Sequence, residues 1–115
     1  LLTVLVACAG TVHAANNLDG KAILCWSDSV IHPVYGLVFE KGTVSRYQVD
    51  GYSIVRPWIN KYKLEGTRKV AFRGYYLDRV TLKTTHGEIC SVSSIEEITK
   101  KLNEIISTAK KKNRF

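Results

Sequence analysis

The sequence predicts a mainly β domain, an antiparallel meander shaped as a curled sheet or small barrel, with one amphipathic α-helix at its C-terminal end. Three observations carry that prediction. Between Lys21 and about Ser93, short β-branched and aromatic runs are punctuated by Gly, Asn and Asp at intervals of about ten residues. After Ser93 the apolar period changes from two to about 3.6. Two cysteines, Cys25 and Cys90, stand near the two ends of the strand region, where a single cross-link would tie the meander together.

Ala22 to Trp26 is expected as the first strand, followed by a loop through Ser27-Asp28-Ser29 and His32-Pro33. Val34 to Phe39 and Thr43 to Val49 are expected as a hairpin about a three-residue loop, Glu40-Lys41-Gly42, in which Gly42 supplies a positive φ. Asp50-Gly51 leads into a strand from Tyr52 to Trp58. Pro57 has no amide donor, so that strand should end or bulge there, or lie on an edge. Tyr62 to Leu64 and Lys69 to Phe72 follow, separated by Glu65-Gly66. The run Tyr75 to Lys83 reads as two strands joined by a turn at Asp78 to Thr81, because an Asp at the first turn position can accept hydrogen bonds from amides two residues on. Leu77 and Leu82 would then enter the core from facing strands. Glu88 to Ser91 is the last strand and carries Cys90 toward Cys25.

The helix is expected over about 94–112. Ser93 with Glu96 and Ser94 with Glu97 both have capping-box spacing. Ile95, Ile98, Leu102, Ile105, Ile106 and Ala109 share one face, and Glu96–Lys100 and Glu97–Lys101 make favourable i,i+4 pairs on the other. Such a stripe packs on its own sheet.

Residues 1–14 read as the end of a secretory signal peptide, an apolar run followed by small residues at a cleavage site, and too short to span a membrane. The leader is expected to be truncated at its start, and the single domain to occupy residues 15–115. Leu5-Val6-Ala7-Cys8 also fits the pattern before a lipid-modified cysteine, which would instead tether the domain to a membrane at Cys8. Either processing route implies a periplasmic or secreted protein. In an oxidising compartment Cys25 and Cys90 are expected to form a disulfide.

The net charge of +7 falls after residue 18, and Lys110, Lys111, Lys112 and Arg114 concentrate part of it at the C-terminal end. These residues complement the helix dipole, and a weak contact with an anionic membrane is the functional alternative. A nucleic-acid partner is not expected for an exported chain. Catalysis is not expected either. No nucleophile elbow, zinc-protease motif or phosphate-binding glycine loop is present, and His32 and His86 stand alone without metal-ligand spacing, so no metal and no cofactor is predicted.

Binding is the better-supported class. Tyr47, Tyr52, Arg56, Trp58, Tyr62, Arg68, Arg73, Tyr75, Tyr76 and Arg79 interleave rings with guanidinium groups, a composition suited to glycans, anionic polymers or an acidic protein surface. On an unbroken strand, period two places Arg56 on one face with Tyr52, Ile54 and Trp58. Tyr52, Arg56 and Trp58 are therefore the expected contact patch for an envelope partner or small ligand.

Leu18-Asp19-Gly20-Lys21 before Cys25, Gly36-Leu37-Val38-Phe39, Tyr76 to Lys83, Cys90 and the Lys-rich end together resemble small exported proteins of marine bacteria. The resemblance implies a Gram-negative, periplasmic setting and brings no activity or functional residues with it. Lipocalin-like barrels offer a fold analogy only. They share the meander and C-terminal helix, but the chain is short for a roomy eight-stranded barrel, and Gly-x-Trp is absent from the first strand. The predicted function is thus a non-enzymatic accessory or binding domain of the cell envelope, with a small lipocalin-like carrier of an apolar ligand as the alternative.

Overall fold

A computed structural model describes residues 18–112. The leader, Cys8, the expected start at Ala15 and Arg114 lie outside the described residues. The described chain forms β1 (Ala22–Trp26), β2 (Val34–Glu40), β3 (Thr43–Asp50), β4 (Ser53–Val55), β5 (Ile59–Lys61), β6 (Lys63–Glu65), β7 (Lys69–Phe72), β8 (Tyr75–Asp78), β9 (Ile89–Ser93) and one helix, α1 (Ile95–Lys112).

The fold is mainly β and antiparallel, with the helix at its C-terminal end, as the sequence predicts. Its strands divide into two sheets. In the larger, six-stranded sheet the order is β4-β3-β2-β1-β9, and β5 also pairs with β3; β6-β7-β8 form the smaller sheet. Isolated bridges Leu77↔Thr84 and Lys83↔Ile89 connect the small sheet to the β9 edge of the large one. On the other side, β5 and β6 are neighbours in one stretch of chain, so residues 59–65 run along both sheets.

The layering follows from the side-chain alternation. Tyr35, Leu37 and Phe39 of β2, Ile23 and Cys25 of β1 and Val44 of β3 face the small sheet and meet Val70, Phe72 and Leu77. Intervening residues Ala22, Leu24, Val34 and Val38 face α1 and pack on Ile98 and Leu102. The large sheet is thus covered on both sides, and β1 and β2 are buried along nearly their whole length. That two-sided burial accounts for the nearly continuous apolar runs AILC and VYGLVF.

The helix is capped by Ser94, the second of the two expected positions. The Glu97 amide donates to Ser94 Oγ at 3.1 Å, and Ser94 Oγ lies 3.5 Å from Glu97 Oε1. Ile98, Leu102 and Ile106 are the buried residues of the expected stripe, while the outer part of the stripe, at Ile95, is more than one-third exposed. Gly36 of β2 sits directly beneath Ile98 and permits the helix to lie close to the sheet.

Cys25 and Cys90 are direct partners in the β1–β9 ladder and form a disulfide across a sequence separation of 65. The bond fits an oxidising, extracytoplasmic setting. Among the described residues no helix is long and apolar enough to cross a membrane.

Several local expectations are corrected. The β2–β3 turn has two central residues, not three: Glu40 pairs with Thr43, and Lys41 and Gly42 both have positive φ (49° and 75°), the requirement of a type I′ turn. The predicted strand Tyr52–Trp58 is interrupted after Val55 and pairing resumes at Ile59, so β3 is flanked by β4 at one end and β5 at the other. Pro57, which cannot donate to a ladder, lies in the gap. The expected second strand after the Asp78 turn is reduced to the isolated bridges at Lys83 and Thr84. The turn itself forms as expected, with Asp78 Oδ1 accepting from the Val80 and Thr81 amides at 2.8 and 3.1 Å.

Candidate functional site

Inward-facing positions at the starts of β2, β8 and β9 bring polar groups together between the sheets. Tyr35 is fully buried, and its hydroxyl donates to Glu88 Oε1. Thr84 Oγ1 donates to the same carboxylate oxygen at 3.1 Å, and the Glu88 amide donates back to Thr84 Oγ1 at 3.2 Å. The Arg46 guanidinium lies 3.8 Å above the Tyr35 ring, and its Nε donates to Gln48 Oε1 at 2.7 Å. Gln48 in turn meets His32 Nε2 at 3.4 Å. Sequence reasoning singled out none of Tyr35, Arg46, Glu88 or Gln48. The signal was present: alternation along β2 and β3 puts Tyr35, Arg46 and Gln48 on the face of Leu37, Phe39 and Val44.

This cluster holds its protons tightly. Burial pushes the Tyr35 phenol well above its ordinary value, and the Glu88 carboxylate adds to the effect. Burial likewise pushes Tyr75 up to about 12, again with a contribution from Glu88. Tyr62 is also pushed up to about 12, by burial and by its bond to Asp19. Phenols raised in this way are poor bases at neutral pH, and their neutral forms are the ones the fold selects. The sign of the linkage follows. Stability from neutral Tyr35, Tyr62 and Tyr75 is fully present below the unfolded value of about 10 and is lost as pH rises through the folded values, about 12 for Tyr62 and Tyr75. An absorbance titration is therefore expected to show phenolate formation trailing past pH 11 and ending with unfolding. A titration complete near pH 10 with the fold intact would contradict it.

On the surface, cations are organised on rings. Arg73, exposed in the β7–β8 turn, has its guanidinium 4.6 Å from the Trp58 ring centroid and donates to Asn60 Oδ1 at 3.2 Å. Arg56 lies 5.1 Å from the Tyr47 ring, Lys69 5.3 Å from Tyr76 and Lys110 5.8 Å from Tyr52. Ion pairing is sparse by comparison. Among the described residues Arg68–Asp78, at 2.9 Å, is the only salt bridge. The Thr81 and Val80 amides, with Arg68, hold the Asp78 carboxyl below its ordinary value. Asp78 is thereby occupied as a turn residue.

Tyr52, Arg56 and Trp58 do not share one face. The interruption at Arg56–Pro57 separates them. Trp58 packs against the inter-sheet core, 6.1 Å from Phe72, whereas Ile54 and Tyr47, the ring beneath Arg56, pack on the helix side. Tyr52 is exposed beside the helix C-terminal turn. Arg56 is exposed.

The opposite end of the sheets is built differently. Asp19 accepts from the Gly42 amide at 2.9 Å and from the Tyr62 hydroxyl at 2.8 Å, and the Leu18 amide donates to that hydroxyl at 3.1 Å. Beside this latch, at the ends of β2, β8 and β9, lies a groove of about 420 Å³ with a mainly apolar lining. The interior between the sheets is filled by Tyr35, Leu37, Phe39, Val70, Phe72, Leu77 and the disulfide. No group of three His, Cys, Asp or Glu side chains suited to a metal ion occurs among the described residues. No family model matches the chain, and no curated protein or solved structure is detectably similar to it.

Proposed function

We propose that the chain is a non-enzymatic binding domain of the bacterial cell envelope, periplasmic or secreted, that takes an acidic polymer on its cationic–aromatic surface. One observation carries this reading. In a chain of net charge +7, four cations lie over aromatic rings on the surface and, among the described residues, a single ion pair is formed. A ring orients a guanidinium without neutralising it, so its N–H donors remain suited to carboxylates of a partner. The leader-like residues 1–14 and the Cys25–Cys90 bond support the compartment. In this reading an acidic polymer passes round the β4–β5 edge of the large sheet, meeting Arg56 and the Tyr52–Lys110 pair on the helix side and the Trp58–Arg73 pair on the inter-sheet side.

Retention on an immobilised carboxylated polysaccharide, compared with neutral dextran, tests the proposal. Binding to the acidic polymer is expected to fall steeply between low and moderate salt. Arg56→Ala with Arg73→Ala together should weaken it at least tenfold, whereas Lys100→Ala, which removes a helix charge away from these pairs, should change it by less than twofold. Equal retention on dextran, or full binding by the double variant, would reject the surface.

A further inference from the structure

The groove at the Phe39 end has a composition that the cationic–aromatic surface does not explain. Leu18, Ile23, Phe39, Leu77, Leu82 and Val92 form its apolar lining, and Lys21 and Arg79 also border it. Its volume of about 420 Å³ falls within the range of small-molecule sites. Val92 is 79% exposed although β9 alternation puts it on the inward side with Cys90, so the small sheet leaves this part of the core face open. Neither Lys21 nor Arg79 forms an ion pair among the described residues. Cations left without acids beside an apolar trough are complementary to a molecule that is apolar along its length and anionic at one end.

We infer that this groove binds a single-chain fatty acid, with the alkyl chain along Leu18, Ile23, Phe39, Leu77, Leu82 and Val92 and the carboxylate at Lys21 and Arg79. The chain gains by leaving water, and the carboxylate gains two charged donors at the groove edge. Neither Trp58 nor Arg73 lines the groove, so the two sites are separable by substitution. Failure of the polymer test leaves the groove untouched, and the converse holds.

The test uses the exported chain, a fluorescent fatty acid as reporter, and dodecanoate as competitor below its micellar concentration. Saturable displacement by dodecanoate is expected, tightening about fourfold per added methylene along a decanoate-to-tetradecanoate series. Dodecanol should bind at least tenfold more weakly than dodecanoate. Val92→Trp, at an exposed strand position that tolerates a large side chain, should fill the groove and abolish displacement. Lys21→Glu with Arg79→Glu should weaken dodecanoate at least tenfold while leaving dodecanol within twofold. A thermal midpoint within a few degrees of wild type establishes that each variant is folded. Absence of displacement in the wild type, or displacement unchanged in both variants, would overturn the inference. So would a concentration-dependent dimer that Val92→Trp dissolves without any acid having bound, which would assign the groove to a second copy of the chain.

Discussion

Replacing Cys25 and Cys90 together by alanine is expected to lower the free energy of unfolding by about 4 kcal/mol. The bond joins residues separated by 65 positions, so its loss frees a long loop in the unfolded chain. It also joins β1 to an edge strand. β9 is held in the large sheet by β1 alone, and α1 begins two residues after it. Against a domain stability of roughly 5–15 kcal/mol, a loss of this size brings the chain close to its unfolding threshold at physiological temperature. Urea unfolding followed by circular dichroism checks the effect. The oxidised wild type should unfold at a clearly higher urea concentration than either the reduced wild type or the double variant. Coincident transitions for all three would show that the ladder and the helix hold β9 without the bond.

Gly36→Ala is expected to cost about 2–3 kcal/mol although it adds one methyl group. A Cβ at this position would stand 2.5 Å from Ile98 Cγ2, 2.7 Å from Cδ1 and 3.0 Å from Cγ1. Ile98 is fully buried in a cluster with Leu24, Val38 and Leu102, so a shift of its side chain must displace close-packed neighbours. The backbone of Gly36 has an ordinary negative φ, so the penalty comes from contact and not from a left-handed conformation. Trimming the opposing side chain separates the two causes. Ile98→Ala alone leaves a cavity and destabilises by about 2–5 kcal/mol, but Gly36→Ala in that background should cost at least about 1 kcal/mol less than in the wild type. Additive effects in the cycle would place the clash elsewhere.

Much of this architecture is written in local chemistry. The β1 and β2 runs, the Asp78 turn, the Ser94–Glu97 cap and the pairing of Cys25 with Cys90 each depend on residues whose preferences agree with the final fold. The expectations that fail share a different cause. Lys41 adopts a positive φ in a two-residue turn because strand twist favours the type I′ geometry over the side chain's own preference. The division into two sheets depends on residues 59–65 pairing with β3 through β5 and with β7 through β6, a tertiary choice that period-two alternation does not encode. The contact patch was displaced by that same choice. Once Pro57 interrupts the strand, Trp58 turns to the inter-sheet core, and a face defined by counting alternate residues no longer exists. The polar cluster at Tyr35 was legible residue by residue, but Glu88 arrives from 53 positions away and only the β1–β9 pairing delivers it.

That pairing also orders the life of the chain. β1 is synthesised first among the strands, yet one of its two neighbours is the last strand and its helical cover comes later still. A nascent chain that has reached residue 80 can close the β2–β3 hairpin and the small sheet, but it carries β1 with an open edge and an unpartnered Cys25 thiol. Completion of β1 is therefore deferred until β9 and α1 have been made. A ribosome that stops early releases a polypeptide whose most apolar strand is still seeking its mate, the kind of species that chaperones and proteases recognise.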